Sequence, residues 1–486
     1  MNAALRRLSV AVLLLFGALL VNVNYLQVVR AEDLHTDSNN SRLITEEYSR
    51  ERGPIIVGEK PVARSVETDD RLEYRRQYAE GPLYAPATGF YSLVYGATGI
   101  EAEANSILAG TDDALFVRRV VDTLTGTEPK GGSVLLTLHP AAQKAAYDGL
   151  RARGARGAVV ALDPSTGAIL AMVSTPSYDP NVLSSHEPAK IRAAYARLND
   201  RKARPLLNRA LRETYPPGST FKIVTAAAAL ESGRFTPSST VDNGARLDLP
   251  LTDATLPNYD GQPCQPDGTA TLTNALERSC NVAFGAIGMR LGDDALREQS
   301  ERFGFNDAFE VPMRSVPSVF PQQLDEPSTA QSAIGQRDVR ATPLQMAMVA
   351  AAVANRGVLM RPYLVQEVLA PDLSVLDSTA PRELGAAVSP QTAAALAQMM
   401  TSVVDNGTGT NAAISGVKVA GKTGTAQQGT NRKPHAWFVS FAPADTEPRV
   451  AVAVVLEEGG NAAEVSGNEL AAPIAKAVTQ AVLGRP

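Results

Sequence analysis

The stretch "GAVVALDPSTGAILAMVSTPS", residues 157–177, decides how this chain folds. Two apolar runs flank Asp163-Pro164-Ser165-Thr166-Gly167, and the glycine suits the positive φ that a tight reversal needs. It reads as a β-hairpin. Three more strand-like runs stand near the C-terminus: "VKVAGKTGTAQ" from Val417, "HAWFVSFAPA" from His435 and "RVAVAVVLEE" from Arg449. A last helix, "LAAPIAKAVTQAVL", follows them. Two strands early, three late and helices between predict an α+β fold, a mainly antiparallel sheet flanked by helices.

Upstream of the hairpin the texture differs. "RGPIIVGEKPVARS" (52–65) reads as strand, turn and strand, and "TDDALFVRRVVDTLTG" (111–126) as a helix ended by Gly126. "SVLLTLHP" is a strand halted by Pro140, and "AAQKAAYDGLRAR" is the helix after it. No charge interrupts Ser9 to Val29, a run about long enough to cross a bilayer as a helix. Arg6 and Arg7 precede it, which puts the short tail in the cytoplasm and the body outside. A cleaved signal peptide would have a shorter apolar core, and no small-x-small cleavage site precedes "AEDL". The expected division is therefore 1–30 cytoplasmic tail and transmembrane anchor, 31–155 first module, and 156–486 main domain.

The 486 residues suit two or three domains, and a net charge of -5 leaves no basic footprint for nucleic acid. Four scattered histidines and two cysteines form no metal-ligand pattern, so neither metal nor cofactor is expected. "NGTGTN" (406–411) has no preceding strand and no following Lys-Ser/Thr, so it reads as a turn and not a phosphate loop.

Chemistry is concentrated in three short motifs: Ser219-Thr220-Phe221-Lys222, Ser279-Cys280-Asn281 and Lys422-Thr423-Gly424-Thr425. Each alone is weak. On a helix, positions i and i+3 share a face, so Ser219 and Lys222 can meet. A serine hydroxyl needs a base to take its proton, and a lysine serves only when its neutral form is favoured. Burial in the apolar run "FKIVTAAAAL" favours it, and so does a second cation such as Lys422. Ser279 suits a proton relay, while Asn281 offers both an amide donor and an acceptor to a substrate backbone. Thr423 and Thr425 sit on a strand that can pair with an extended peptide, and Gly424 permits close backbone approach. The backbone N–H groups of Ser219 and Thr425 are then the natural oxyanion hole. The bland alternatives are a helix N-cap with a satisfied core lysine, an ordinary turn, and a plain strand start. Trp437, Phe438 and His435 read as structural.

The three motifs in this order resemble the active site of penicillin-binding proteins and serine β-lactamases. The resemblance covers most of the chain and is closest to class B penicillin-binding proteins, the membrane-anchored D,D-transpeptidases. "RGPI" (52–55), "GATGIEAEANSIL" (96–108), the hairpin, "NGTGT" and "VAGKTGTAQ" all carry it. The small first module is similar to that of actinobacterial members, which implies a pedestal or dimerisation-like role for 31–155. One departure is "IVGEKPVA", where the family often shows an Asp-Arg-Asn-Gly turn. No glycosyltransferase segment is present, and the first module is too short to hold one.

The resemblance implies acyl transfer from a peptidoglycan stem peptide through an acyl-serine at Ser219, with β-lactams acylating the same residue. It also implies a location in the cytoplasmic membrane with the catalytic domain outside, and a membrane glycosyltransferase of the cell-shape or division machinery as partner. Cys264 and Cys280 stand either as a disulfide, which the compartment allows, or as two thiols with Cys280 a small buried filler. The rival activities are a D,D-carboxypeptidase or β-lactamase with the same site, and a non-catalytic β-lactam sensor or scaffold.

Overall fold

The structure is a computed structural model that describes residues 3–26, 47–126, 128, 130–266, 268–429, 432–459 and 465–485. The end of the apolar run and the "AEDL" segment lie outside the described residues. Helix α1 (Ala3–Asn24) is followed by strands β1 (Ile55–Val57), β2 (Lys60–Glu67), β3 (Tyr74–Tyr78) and β4 (Ser133–Leu136). Next come helix α2 (Pro140–Ala152), strands β5 (Gly157–Leu162) and β6 (Ile169–Thr175), and helices α3 (Lys222–Glu231), α4 (Asn281–Leu291) and α5 (Pro343–Ala354). The chain continues with strands β7 (Val365–Leu369) and β8 (Val375–Ser378) and helix α6 (Pro390–Asp405). It closes with strands β9 (Ala420–Ala426), β10 (His435–Ala442) and β11 (Val450–Leu456) and helix α7 (Ala472–Leu483).

The hairpin of 157–177 joins the three late strands in one sheet, ordered β9-β10-β11-β5-β6 and antiparallel throughout. Both faces are covered, which is why β5 and β11 in its middle are apolar without interruption. Along β5, Ala158, Val160 and Leu162 pack into the cluster that holds α5, while Val159 and Ala161 pack into the cluster of α2 and α7. That is the period of two expected of a strand. Every residue of α5 is buried, in keeping with a helix that is apolar all round. Strand β9 has a neighbour on one side only.

A second sheet has the order β8-β7-β4-β1-β2-β3. Its first two strands come from residues 365–378, so the later part of the chain completes the sheet of the first module. Helix α2 in turn packs on β6 and α7 of the main sheet. The two parts are interleaved. Inside the first module, Glu101 is fully buried and accepts from Arg52 Nε at 2.7 Å, Arg76 Nε at 2.6 Å and Tyr78 Oη at 3.1 Å. Burial would raise its pKa, yet Arg76 and Arg52 together hold the carboxyl below the usual range.

Candidate active site

The chain reaches Ser219 through Pro216, Pro217 and Gly218. Fully buried Trp437 on β10 donates from Nε1 to Pro216 O at 3.0 Å, and Tyr215 exchanges backbone hydrogen bonds with Ala341 at 2.9 and 2.8 Å. Ser219 lies in a 3₁₀ turn, Gly218–Phe221, and α3 begins at Lys222. The sequence reading put both residues on one helix. The tighter turn still brings i and i+3 onto one side, since 3₁₀ side chains at that spacing eclipse.

Lys222 is fully buried, and its partners belong to the second motif. Nζ donates to Ser279 O at 2.7 Å and to Asn281 Oδ1 at 2.8 Å, and it lies 3.3 Å from Ser279 Oγ. Among the described residues no hydrogen bond joins it to Ser219. Burial first, and the Lys422 charge second, push its pKa well below the usual lysine value. A neutral amine has two N–H groups and one lone pair. The two short contacts take the N–H groups, which leaves the lone pair free to accept a proton.

Ser279 Oγ also accepts from Lys422 Nζ at 2.8 Å. Lys422 is fully buried on β9, it donates to Thr423 O at 3.0 Å, and burial pulls its pKa down to about 7. Ser279 has φ +63°, a conformation that costs a side-chain-bearing residue about 1–3 kcal/mol and needs support. Support comes from Ser279 N to Leu276 O at 3.2 Å, Cys280 N to Ala275 O at 2.8 Å, and the lysine on its carbonyl. The structure also pairs Cys280 with Cys264, their Cα atoms 5.6 Å apart.

Asn281 begins α4. The sequence reading gave both ends of its amide to substrate, whereas the structure engages both within the protein. Oδ1 takes Lys222, and Nδ2 donates to Pro257 O at 2.9 Å.

Strand β9 lies against the serine corner. A Cβ on Gly424 would come 2.9 Å from Thr220 Cγ2 and 3.1 Å from Pro217 O, so a larger residue would have to push the corner or the strand aside. Ser219, Ser279, Asn281, Thr423 and Thr425 line one cleft of about 1540 Å³. Among the described residues no group of three or more His, Cys, Asp or Glu is placed to hold a metal ion.

Sequence reasoning missed the ion network behind the corner. Glu457 Oε1, at the end of β11, accepts from Arg209 Nε at 2.8 Å and Tyr215 Oη at 2.8 Å, while Oε2 faces Arg156 Nε at 3.1 Å. Arg209 and Glu457 are 248 residues apart, and no local pattern announces such a pair. His435 lies beside it, its Nδ1 3.1 Å from the Glu458 N–H, and burial lowers its pKa to about 4, so the ring is neutral. Thr408, in the turn of "NGTGTN", was also passed over.

Two family descriptions match this chain: "Penicillin binding protein transpeptidase domain" over residues 157–480, and "Penicillin binding protein A dimerisation domain" over 52–134. Across 491 residues the chain is 46% identical to the peptidoglycan D,D-transpeptidase PbpA of Mycolicibacterium smegmatis, covering 99% of each. It is 45% identical over 495 residues to the protein of the same name from Mycobacterium tuberculosis, covering 100% of each. Among solved structures it is similar to penicillin-binding protein A from M. tuberculosis in its ceftriaxone acyl-enzyme complex. That likeness has a TM-score of 0.88 and 44% identity, over 90% of this chain and 100% of the other.

Proposed function

This chain belongs to the penicillin-binding protein transpeptidase family, and from that premise we propose how its residues divide the reaction. It is a peptidoglycan D,D-transpeptidase, a serine acyltransferase that β-lactams acylate. Ser219 Oγ attacks the carbonyl carbon of the penultimate D-Ala of a stem peptide, and its proton passes to the neutral amine of Lys222. The backbone N–H groups of Ser219 and Thr425 stabilise the oxyanion. As the C–N bond breaks, Ser279 relays that proton to the departing D-Ala nitrogen. An amine of a second stem peptide then attacks the ester, loses its proton along the same route, and Ser219 is reprotonated. Lys422, Thr423 and Thr425 hold the terminal carboxylate, and Asn281 orients Lys222.

One observation carries this reading. The Ser279 hydroxyl lies 2.8 Å from one buried lysine and 3.3 Å from another, so three motifs distant in sequence meet at a single proton-bearing atom. We assign residues 31–155 as pedestal and 156–486 as transpeptidase domain, with the Cys264–Cys280 disulfide bracing the second motif. Helix α1 supports an uncleaved anchor: Leu5–Asn24 has a mean hydropathy of 1.8 and is exposed along its length. A membrane glycosyltransferase is the partner proposed from the family. Incubating the protein with a defined stem peptide and an acceptor amine tests the reaction; cross-linked dimer in the mass spectrum supports it, and trimmed monomer alone refutes transfer to an amine.

A further inference from the structure

The turn at 406–409 belongs to the site. Thr408 Oγ1 lies 2.7 Å from Thr423 Oγ1, and both residues line the cleft beside Ser279. The turn is clamped to the segment that carries Ser279. Thr408 N donates to Glu277 O at 3.2 Å, and the Glu277 carboxylate accepts from Ser402 Oγ at 2.6 Å. Gly407 fits here because a Cβ would come 2.5 Å from Glu277 O. Motifs two and three are thus tied by a short chain that runs Ser279, Glu277, Thr408, Thr423.

A hydroxyl has one proton and two acceptor sites. When Thr408 donates to Thr423 Oγ1, the Thr423 proton is released to point into the cleft, and the bond it makes there is strengthened by the one behind it. An anion entering beside Lys422 favours this direction of the pair, because it accepts protons and offers none. We propose that Thr408 is a positioning residue that orients the Thr423 hydroxyl towards the terminal carboxylate of the acyl donor. This rests on the transpeptidase reading above and adds a specificity element to it.

The test uses two thioester donors that differ only at the leaving group, N-benzoyl-D-alanyl thioglycolate and its thioglycolamide counterpart. Thiol release gives the acylation rate constant for each. Thr408→Val is expected to lower the rate with the carboxylate donor about tenfold, the usual consequence of losing a hydrogen bond that serves a charged group. The amide donor is expected to react within about twofold of the parent rate, and Thr408→Ser to restore the carboxylate rate. Equal losses with both donors would make Thr408 merely structural and overturn the proposal, as would no loss with either. A parent enzyme that released no thiol from either donor would instead sink the transpeptidase reading itself.

Discussion

Lys222 Nζ stands 2.8 Å from Oδ1 of Asn281, 59 residues further along the chain. The second motif thus holds the amine beside the Ser279 hydroxyl, which suits the roles of base and relay proposed above. Lys222→Arg should lower acylation by a fluorescent penicillin by about 10²–10⁴-fold, because a guanidinium has no neutral form to offer. Ser219→Ala should abolish labelling altogether. Labelling of the arginine variant at the parent rate would remove Lys222 from the role of base.

Acylation should follow a bell-shaped pH profile. The acid limb reports protonation of Lys222, whose pKa burial and Lys422 depress; the alkaline limb reports loss of the Lys422 proton at about 7 in the free enzyme. With a donor whose carboxylate is amidated the alkaline limb should disappear, since no anion then needs Lys422. A limb of the same height and position with both donors would contradict this.

Stability carries the same lysine with a definite sign. An unfolded lysine titrates at about 10.4, so between pH 7 and 9 the unfolded chain binds the extra proton and the folded one does not. The burial penalty on Lys422 is full below its folded pKa of about 7 and is relieved as pH rises. Chemical denaturation at pH 7 and pH 9 should show the parent gaining on Lys422→Met. A constant difference between the two proteins would refute it.

Replacing Cys264 and Cys280 together by serine should cost about 3 kcal/mol, the chain-entropy value for a loop near this size. Acylation should fall as well, because Ser279 loses a brace on its positive-φ turn. An unchanged denaturation midpoint, or separately alkylated cysteines in the native protein, would end the assignment.

Gly424→Ala should slow acylation far more than it lowers the melting temperature. The new methyl must move either Thr220 or the β9 backbone by a few tenths of an ångström, where the strand lies against the serine corner. Rate and melting temperature are both read on the same purified variant, and a rate within twofold of the parent's would show that the contact yields freely.

Glu101→Gln should destabilise by about 3–5 kcal/mol, since it leaves two buried guanidiniums without their counter-charge. The effect belongs to folding, so penicillin acylation of the surviving native protein should proceed at the parent rate. A melting curve that overlays the parent's would show the charge to be dispensable.

What the sequence displayed and what it hid follow the range of the interactions. The hairpin of 157–177 and the apolar strands of 435–456 are set by local period and turn chemistry, and both formed as read. Ser219 and Lys222 were visible because three positions span one turn, although that turn is 3₁₀ and not α. The occupancy of both ends of Asn281 was not visible, because Pro257 reaches it from a loop whose path has no periodic signature. Arg209 with Glu457, and β7 with β4, are pairings over more than 200 residues. Strand pairing of that kind is chosen by the whole fold.

The hairpin 365–378 that completes the first sheet has a consequence for anyone shortening this chain. A fragment starting at residue 156 would keep β7 but lose β4, baring a row of unpaired N–H and C=O groups as a ready template for another copy. It would also strip α2 from the main sheet and uncover apolar side chains there. Such a fragment is a candidate for domain swapping or precipitation. The catalytic half of this protein is a division on paper, and what folds together reaches back at least to β1.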